Sequence, residues 1–219
     1  MREPELKKVT SFIVRPQPRE VLLLRHRYTG IQFPAGAVEA GEAPEAAAVR
    51  ATLEQSGLEN IAGPVPAGVT VEEVVGSGWL VAQTTPVFLR PDAHANSWAI
   101  LRRGVSVTSE REEGGFVQVT YEEVDRLPSP QYLTARITGW VPREALARVR
   151  RRYFFVLPCA VETSAAWVVD SGRDDWVLFW APIDHLPALI PPQEQWIPYL
   201  TAATGGAPML AAIMGKAAA

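Results

Sequence analysis

Apolar residues recur along this chain in short runs whose spacing changes from one region to the next. Lys8 to Arg15 and Glu20 to Arg27 are rich in β-branched and aliphatic side chains and flank Pro16-Gln17-Pro18-Arg19. That order predicts a hairpin with a proline turn. Successive strand side chains alternate, so Arg25 and Arg27 share one face of the second arm while His26 takes the other. Phe33-Pro34-Ala35-Gly36 and Gly41 then crowd two glycines and a proline together, which predicts a loop without regular structure. From Pro44 the period becomes helical. Pro44 suits a first helical position, where no N–H is required; Ala46, Val49 and Leu53 recur as an inward face; Gly57 suits the left-handed residue that ends a helix. Arg50 and Glu54 stand one turn apart on a neighbouring face.

Past the loop Gly63-Pro64-Val65-Pro66, Val69 to Val75 reads as a strand. From about Gly78 to Leu146 the pattern predicts short strands between turns, in WLVAQTTPVFLR, WAILRRGVSVTSE, GGFVQVTY and ARITGWVPREAL. Asp125 to Tyr132 forms a long loop before the last of them. Arg148, Arg150, Arg151 and Arg152 make a basic cluster, expected as a solvated junction between domains, with a phosphate or partner contact as the alternative. Tyr153 to Cys159 and Asp175 to Pro182 are apolar strands, Gln193 to Leu200 is helical, and Met209 to Ala219 is a small, apolar tail.

Length and composition narrow the picture. A chain of 219 residues suits one sizeable domain plus a small one, and 47% hydrophobic residues with seven tryptophans can fill a real core. A net charge of -3 argues against a general binder of nucleic acid or membrane surfaces. Cys159 is the single cysteine, so no internal disulfide forms. The N-terminal residues MREPELKK have no apolar core behind them and no run approaches a membrane span, so the expected location is cytoplasmic.

The loop and helix carry the strongest chemical lead. Gly36 is followed after five residues by Glu42, and Glu42 after seven by Arg50, with Glu54, Gly57 and Leu58 behind. This spacing resembles the signature of the Nudix hydrolases. The resemblance implies a loop-helix that holds Mg2+ or Mn2+ against a diphosphate, with the Gly36 carbonyl and the Glu54 carboxylate as ligands, Glu39 as a substitute ligand, and Arg50 paired with Glu42 to brace the loop. Clustered oxygens are what hard divalent ions require, and carboxylates three and four residues apart share a helix face. The chain departs from the signature at Ala51 and Gln55, where the family has glutamates, and at Thr52, where it has an apolar residue. One remaining helix carboxylate holds magnesium weakly unless substrate phosphates complete the shell.

A second resemblance covers the middle of the chain. Leu89-Arg90-Pro91, Gly104-Val105, Gly114-Gly115-Phe116-Val117 and Gly139-Trp140-Val141-Pro142 follow the order of a bacterial Src-homology-3-like barrel. The strand ending Phe179-Trp180, the polar turn Ile183-Asp184-His185-Leu186 and the helix behind it resemble the back half of a Nudix domain. The fold expected is therefore α+β: a Nudix-like mixed sheet flanked by helices in an α/β/α sandwich, interrupted by a small all-β barrel. Residues 1–77 and 148–206 would form the Nudix-like domain, 78–147 the insert, and 207–219 a tail. The insert would contact a protein partner or a second copy of the chain, or shape one wall of the cleft.

By resemblance, the reaction is attack of water on a nucleoside diphosphate linked to another moiety, with the metal as Lewis acid and template. Glu54 and Arg50 would act from the helix. The base would come from the back half, with Glu162 first among Glu162, Asp170, Asp174 and Asp175. Arg25 and Arg27 would reach phosphate, and Phe33 or Trp180 would stack a base. Each has a plainer alternative: solvated strand charges, exposed turn carboxylates, core aromatics, and for Glu54 a surface ion pair with Arg50. Phe33-Pro34-Ala35-Gly36 resembles the Pro-Ala-Gly variant of sugar-nucleotide members, yet Glu72 and Glu73 stand where those carry a further proline. The other functional reading is a Nudix-fold module that binds a nucleotide or a protein without hydrolysing anything, and Ala51 and Gln55 favour it. A cysteine-peptidase reading would need Cys159 with His185. It is set aside because Cys159 follows Pro158 at the end of an apolar strand, away from a helix start or cation. His26, His94 and His185 lack a second ligand at motif spacing.

Overall fold

The computed structural model describes residues 4–15, 17–27, 29–59, 61, 63–126, 129–170 and 175–205. Strands β1 (Glu5–Arg15) and β2 (Glu20–His26) form the expected hairpin, with Val14 opposite Val21 and Arg15 opposite Glu20. β3 (Gly30–Gln32) adds to β2, and β4 (Ala35–Ala37) pairs with β1 through Val9 and Gly36. The stretch expected as an irregular loop is thus partly strand. Its glycine does not prevent a short ladder once β1 supplies the partner groups.

Helix α1 (Pro44–Ser56) begins and ends where the sequence places it, with Gly57 at φ +67° donating its N–H to the Leu53 carbonyl at 2.8 Å. Its inward face is not the expected one. Ala47, Ala48, Ala51, Thr52 and Ser56 are buried, whereas Ala46 is exposed and Val49 and Leu53 are largely so. The cause is closeness: a Cβ placed on Gly36 would lie 2.6 Å from the Ala51 Cβ. At that distance only small side chains fit between helix and strand, so the branched residues turn outward.

After β5 (Val65–Glu73) come β6 (Gly78–Val81), β7 (Thr85–Phe88), β8 (Ser97–Leu101), β9 (Ser106–Glu113), β10 (Phe116–Val124), β11 (Leu133–Pro142) and β12 (Leu146–Ala147). The chain continues through β13 (Val149–Pro158), β14 (Ala166–Asp170), β15 (Asp175–Pro182), a 3-10 turn over Gln193–Trp196, and helix α2 (Ile197–Thr204). One sheet has the order β14-β15-β2-β1-β13-β5, and a seven-stranded sheet has the order β12-β6-β9-β10-β11-β7-β8. The chain separates into two compact units, one of Lys8–Val69, Arg126–Pro128 and Arg152–Ala219, the other of Met1–Lys7, Thr70–Asp125 and Ser129–Arg151. The division falls within β1, β5 and β13.

Alternation builds the first unit. Phe12 and Val14 of β1, Val21 and Leu23 of β2, and Phe154 and Val156 of β13 pack with Trp196 and Leu200. Residues of the opposite parity, Val9, Ile13, Leu22, Phe155 and Leu157, pack with Ala47, Ala48 and Ala51. Since neighbouring strand residues point to opposite sides, α1 covers one face of the sheet and α2 the other. In the second unit Trp79, Val81, Val107, Val117, Val119, Val141 and Leu146 form a separate core. Among the described residues no helix is long and apolar enough to cross a membrane.

The basic cluster does span a division between the units, at Arg151 and Arg152, but its arginines on β13 are paired rather than solvated. Arg152 is buried, with its guanidinium 4.1 Å from the Trp196 ring and Nη1 donating to Thr10 Oγ1 at 2.9 Å. Arg151 pairs with Glu5 at 2.8 Å and Arg150 with Glu72 at 3.4 Å. These arginines lie on β13, and strand alternation seats each against a different partner.

Gly68, at φ +155°, marks another close approach. A Cβ there would lie 2.4 Å from Tyr199 Cδ1, and Tyr199 stacks on Phe154 with centroids 4.4 Å apart. Gly68→Ala is expected to displace that ring and lower stability by about 1–3 kcal/mol, as read from the urea midpoint of unfolding.

Candidate functional site

The loop between β4 and α1 is closed by ionic hydrogen bonds. Arg50 approaches Glu42 as a fork, Nε donating to Oε1 and Nη2 to Oε2, both at 2.8 Å, while Nη2 also donates to the Ala37 carbonyl at 2.8 Å. Glu42 Oε2 accepts the Glu39 N–H at 2.8 Å, and the Glu42 N–H returns to the Glu39 carbonyl at 3.2 Å. A planar guanidinium matches a carboxylate in this bidentate way, and lysine cannot. The Glu42 hydrogen bonds hold the Arg50 guanidinium well above its ordinary value, partial burial pulls the other way, and Glu54 adds to the rise.

The remaining carboxylates nearby are loosely held. Glu54, 59% exposed at its side chain, accepts from Arg50 Nη1 at 3.3 and 3.4 Å, and Glu39, more exposed still, approaches the same nitrogen at 4.0 Å. Glu39, Glu42 and Glu54 therefore converge on one guanidinium.

Gln55 and Ala51 account for the positions where the helix departs from the signature. The Gln55 side chain accepts the Ala35 N–H at 3.0 Å and donates to the Ala35 carbonyl at 2.6 Å, extending the β4 ladder with a side-chain amide. Ala51 is 1% exposed and lies against Gly36. A divalent ion needs clustered oxygens, and among the described residues no three or more His, Cys, Asp or Glu side chains gather in a way that could hold one. These residues do not fit a Mg2+ or Mn2+ site of the kind the signature implies. The glutamine amide is spent on Ala35, Ala51 has no ligand, and Glu54 is shared with a cation.

The other candidates are dispersed. Phe33 is fully buried, edge-on to Phe12 at 4.9 Å between centroids, and its N–H donates to the Gln193 side chain at 2.7 Å, so it is core rather than a stacking platform. Trp180 is also buried, its Nε1 donating to Thr163 Oγ1 at 2.8 Å and the Arg15 guanidinium lying 4.5 Å from its ring. Arg25 and Arg27 are exposed, and the Arg25 guanidinium lies 4.9 Å from the Phe179 ring. His26 Nδ1 accepts the Thr29 N–H at 3.3 Å. Glu162 is exposed in the segment between β13 and β14. Asp174 lies outside the described residues, as do the side chains of Asp170 and Asp175. Burial raises the Cys159 thiol above its ordinary value, the opposite of what a nucleophile needs.

Sequence reasoning missed the Ala37 carbonyl and the Gln55 amide as parts of this arrangement. The first carries no side-chain signal. The second could have been sought in a glutamine in the last turn of the helix that follows a loop whose backbone groups need partners.

Arg50→Ala is expected to lower stability by about 1–3 kcal/mol, because it strips a half-buried Glu42 of its fork and the Ala37 carbonyl of its donor. Arg50→Lys should recover little of the loss. Urea denaturation of the variants measures both.

No curated protein matches the chain. The model of the NUDIX domain family matches residues 6–146, well over half of the sequence. The match takes in the loop, the helix and the segment expected as an insertion, and stops short of β13. With that match, and with a loop-helix whose Gly36, Glu42, Arg50 and Gly57 stand in the family's order, the chain belongs to the NUDIX domain family.

Proposed function

We propose that this chain is a Nudix-fold binding module in which the loop-helix has become a structural clasp and no longer assembles a metal-dependent hydrolytic centre. One observation carries the reading: the Gln55 amide is closed at both ends on the Ala35 backbone, at 3.0 and 2.6 Å, where a glutamate would be needed for an ion. The ligand is of the nucleotide type that the family handles, or a protein partner. Within the same reading, residues 78–147 are a Src-homology-3-like barrel inserted between 1–77 and 148–206 and offered to a protein partner or a second copy. The clustering of 70–125 and 129–151 apart from most of the flanking chain supports this.

A second reading is favoured by Glu39 and Glu54. Both are exposed and share Arg50 Nη1, at 4.0 and 3.3 Å, so they are the carboxylates nearest to forming an ion site once substrate phosphates join them. This reading keeps a weak divalent-metal-dependent pyrophosphohydrolase acting on a nucleoside diphosphate linked to another moiety.

Product release from nucleoside diphosphate-linked compounds, assayed with Mg2+ or Mn2+, is expected not to exceed that of the Glu54→Gln variant, while calorimetry with the same compounds registers binding. Metal-dependent turnover that Glu54→Gln abolishes would overturn the proposal. Gln55→Glu sets a carboxylate against the Ala35 carbonyl and is expected to lower stability by about 1–3 kcal/mol, with no recovery on adding Mg2+. Recovery of the thermal midpoint with the metal would support the hydrolytic reading instead.

A further inference from the structure

Strand β8 ends the seven-stranded sheet and pairs with β7 alone. In an antiparallel ladder alternate residues turn their N–H and C=O groups away from the neighbour, so the outer side of β8 carries backbone donors and acceptors for which the sheet has no strand. Proteins guard such edges with brevity, charge, proline or bulges. The other end of this sheet is guarded in the first way, since β12 is two residues long. β8 is Ser97-Trp98-Ala99-Ile100-Leu101, without a charge or a proline, and its register against β7 shifts only at the Ser97 end.

The side chains of β8 are as open as its backbone. Ile100 is 67% exposed and stands opposite Pro86, which is exposed too. Trp98 is 49% exposed, and a Cβ on Gly139 would stand 3.3 Å from its Nε1 and 2.5 Å from Val87 Cγ1. The glycine thus makes room for the indole to lie against β11 while half of it stays open. An aromatic side chain held in this way loses little freedom when it meets a partner, and tryptophans are prominent among the residues that carry interface energy.

Charge selects the occupant. Arg102 follows the strand directly, and at the other end the Asn96 carbonyl accepts the Leu89 N–H at 3.1 Å, which brings Arg90 alongside. Both arginines are exposed, and neither is paired with a carboxylate among the described residues. Asp92, the acid nearest to Arg90 in the chain, turns its Oδ1 back to the His94 N–H at 2.9 Å. Two copies of β8 paired antiparallel about Ala99 would set Leu101 opposite Ser97 and so bring Arg102 of each to the end where the other carries Arg90. Like charges would meet at both ends, which disfavours a second copy. An extended segment with apolar residues in its middle and carboxylates at its ends has the complementary pattern.

We propose that β8 is the docking edge for an extended acidic segment of another protein, which adds to the sheet as a further strand, its apolar side chains on Trp98 and Ile100 and its carboxylates toward Arg90 and Arg102. The proposal rests on the reading of residues 78–147 as the part of the chain offered to a partner, and it gives that partner a chemistry.

The test is fluorescence anisotropy of the labelled peptide acetyl-Glu-Val-Thr-Val-Thr-Val-Glu-amide titrated with the full chain, with lysine or glutamine in place of both glutamates as further arms. The acidic peptide is expected to bind about tenfold more tightly than the lysine form at low salt, with the glutamine form between them. N-methylation of alternate residues along one edge of the peptide should abolish binding and along the other edge should not, since only one edge of an added strand faces β8. Trp98→Ala should weaken the acidic peptide by about tenfold or more. Ile100→Glu should weaken it as well and improve the lysine form, with circular dichroism to show that both variants fold. No anisotropy change at near-millimolar chain, equal binding of the lysine form, or N-methylation without effect on either edge would each overturn the proposal. Sedimentation of the peptide-free chain separates it from the wider reading. A dimer that Ile100→Glu dissolves would replace the peptide with a second copy at β8, and a dimer that requires residues 78–147 but survives Ile100→Glu would overturn β8 as the edge while leaving the wider reading in place.

Discussion

The geometry of the loop-helix depends on the fork between Arg50 and Glu42. Gly36 lets α1 come so close to β4 that the intervening side chains must be small, and Gly41 and the turn around Glu39 must then be folded back over the helix start. Val38 is buried in the cluster with Ala47, Ala48 and Ala51 and anchors the turn on its apolar side; its polar side also has to be held. The guanidinium does so by satisfying the Glu42 carboxylate at both oxygens and the Ala37 carbonyl with the same nitrogen. Glu42 in turn takes the Glu39 N–H. Hydrogen bonds to ionised groups are the stronger ones, and a chain of them that leaves no half-buried charge unpaired makes a compact brace.

Gln55 extends the brace on the other side. A neutral amide carries a donor and an acceptor in the separation that a backbone peptide group needs, so it can complete both free groups of Ala35 at once. A glutamate at this place could accept from the Ala35 N–H but would confront the carbonyl. Neutrality at position 55 and small size at position 51 therefore serve the same end, which is tight docking of the helix on the strands. Binding an ion would demand the opposite at both positions, charge and reach.

Much of this was legible in the sequence because it is local. The hairpin, the limits of α1 and the Gly57 cap follow from residue type and spacing alone, and the Arg50–Glu42 pair follows from the resemblance of the loop-helix to the Nudix signature. What was not legible depends on approach distance. Val49 and Leu53 have the spacing of a buried stripe, and only the 2.6 Å clearance at Gly36 turns Ala47, Ala48 and Ala51 inward in their place. The same holds for Phe33, whose residue type suits a stacking surface but whose ring is buried edge-on against Phe12, and for the arginines of β13, whose partners come from residues far away in the chain.

Charge competition bears on what the clasp can still do. A divalent ion approaching Glu54 and Glu39 would enter a space where both carboxylates already face a guanidinium, at 3.3 and 4.0 Å. It would have to draw them away from Arg50 or accept that cation as a close neighbour, and like charges at such range repel with an energy of several kcal/mol even at an effective dielectric of about 20. Glu42 cannot be recruited to help, since both of its oxygens are committed to the brace. Two shared, solvent-exposed carboxylates opposed by a fixed cation form a poor ion site unless a phosphate-bearing ligand brings oxygens of its own. Under the reading proposed for this chain, the ligand that enters is held by the fold and the clasp stays closed.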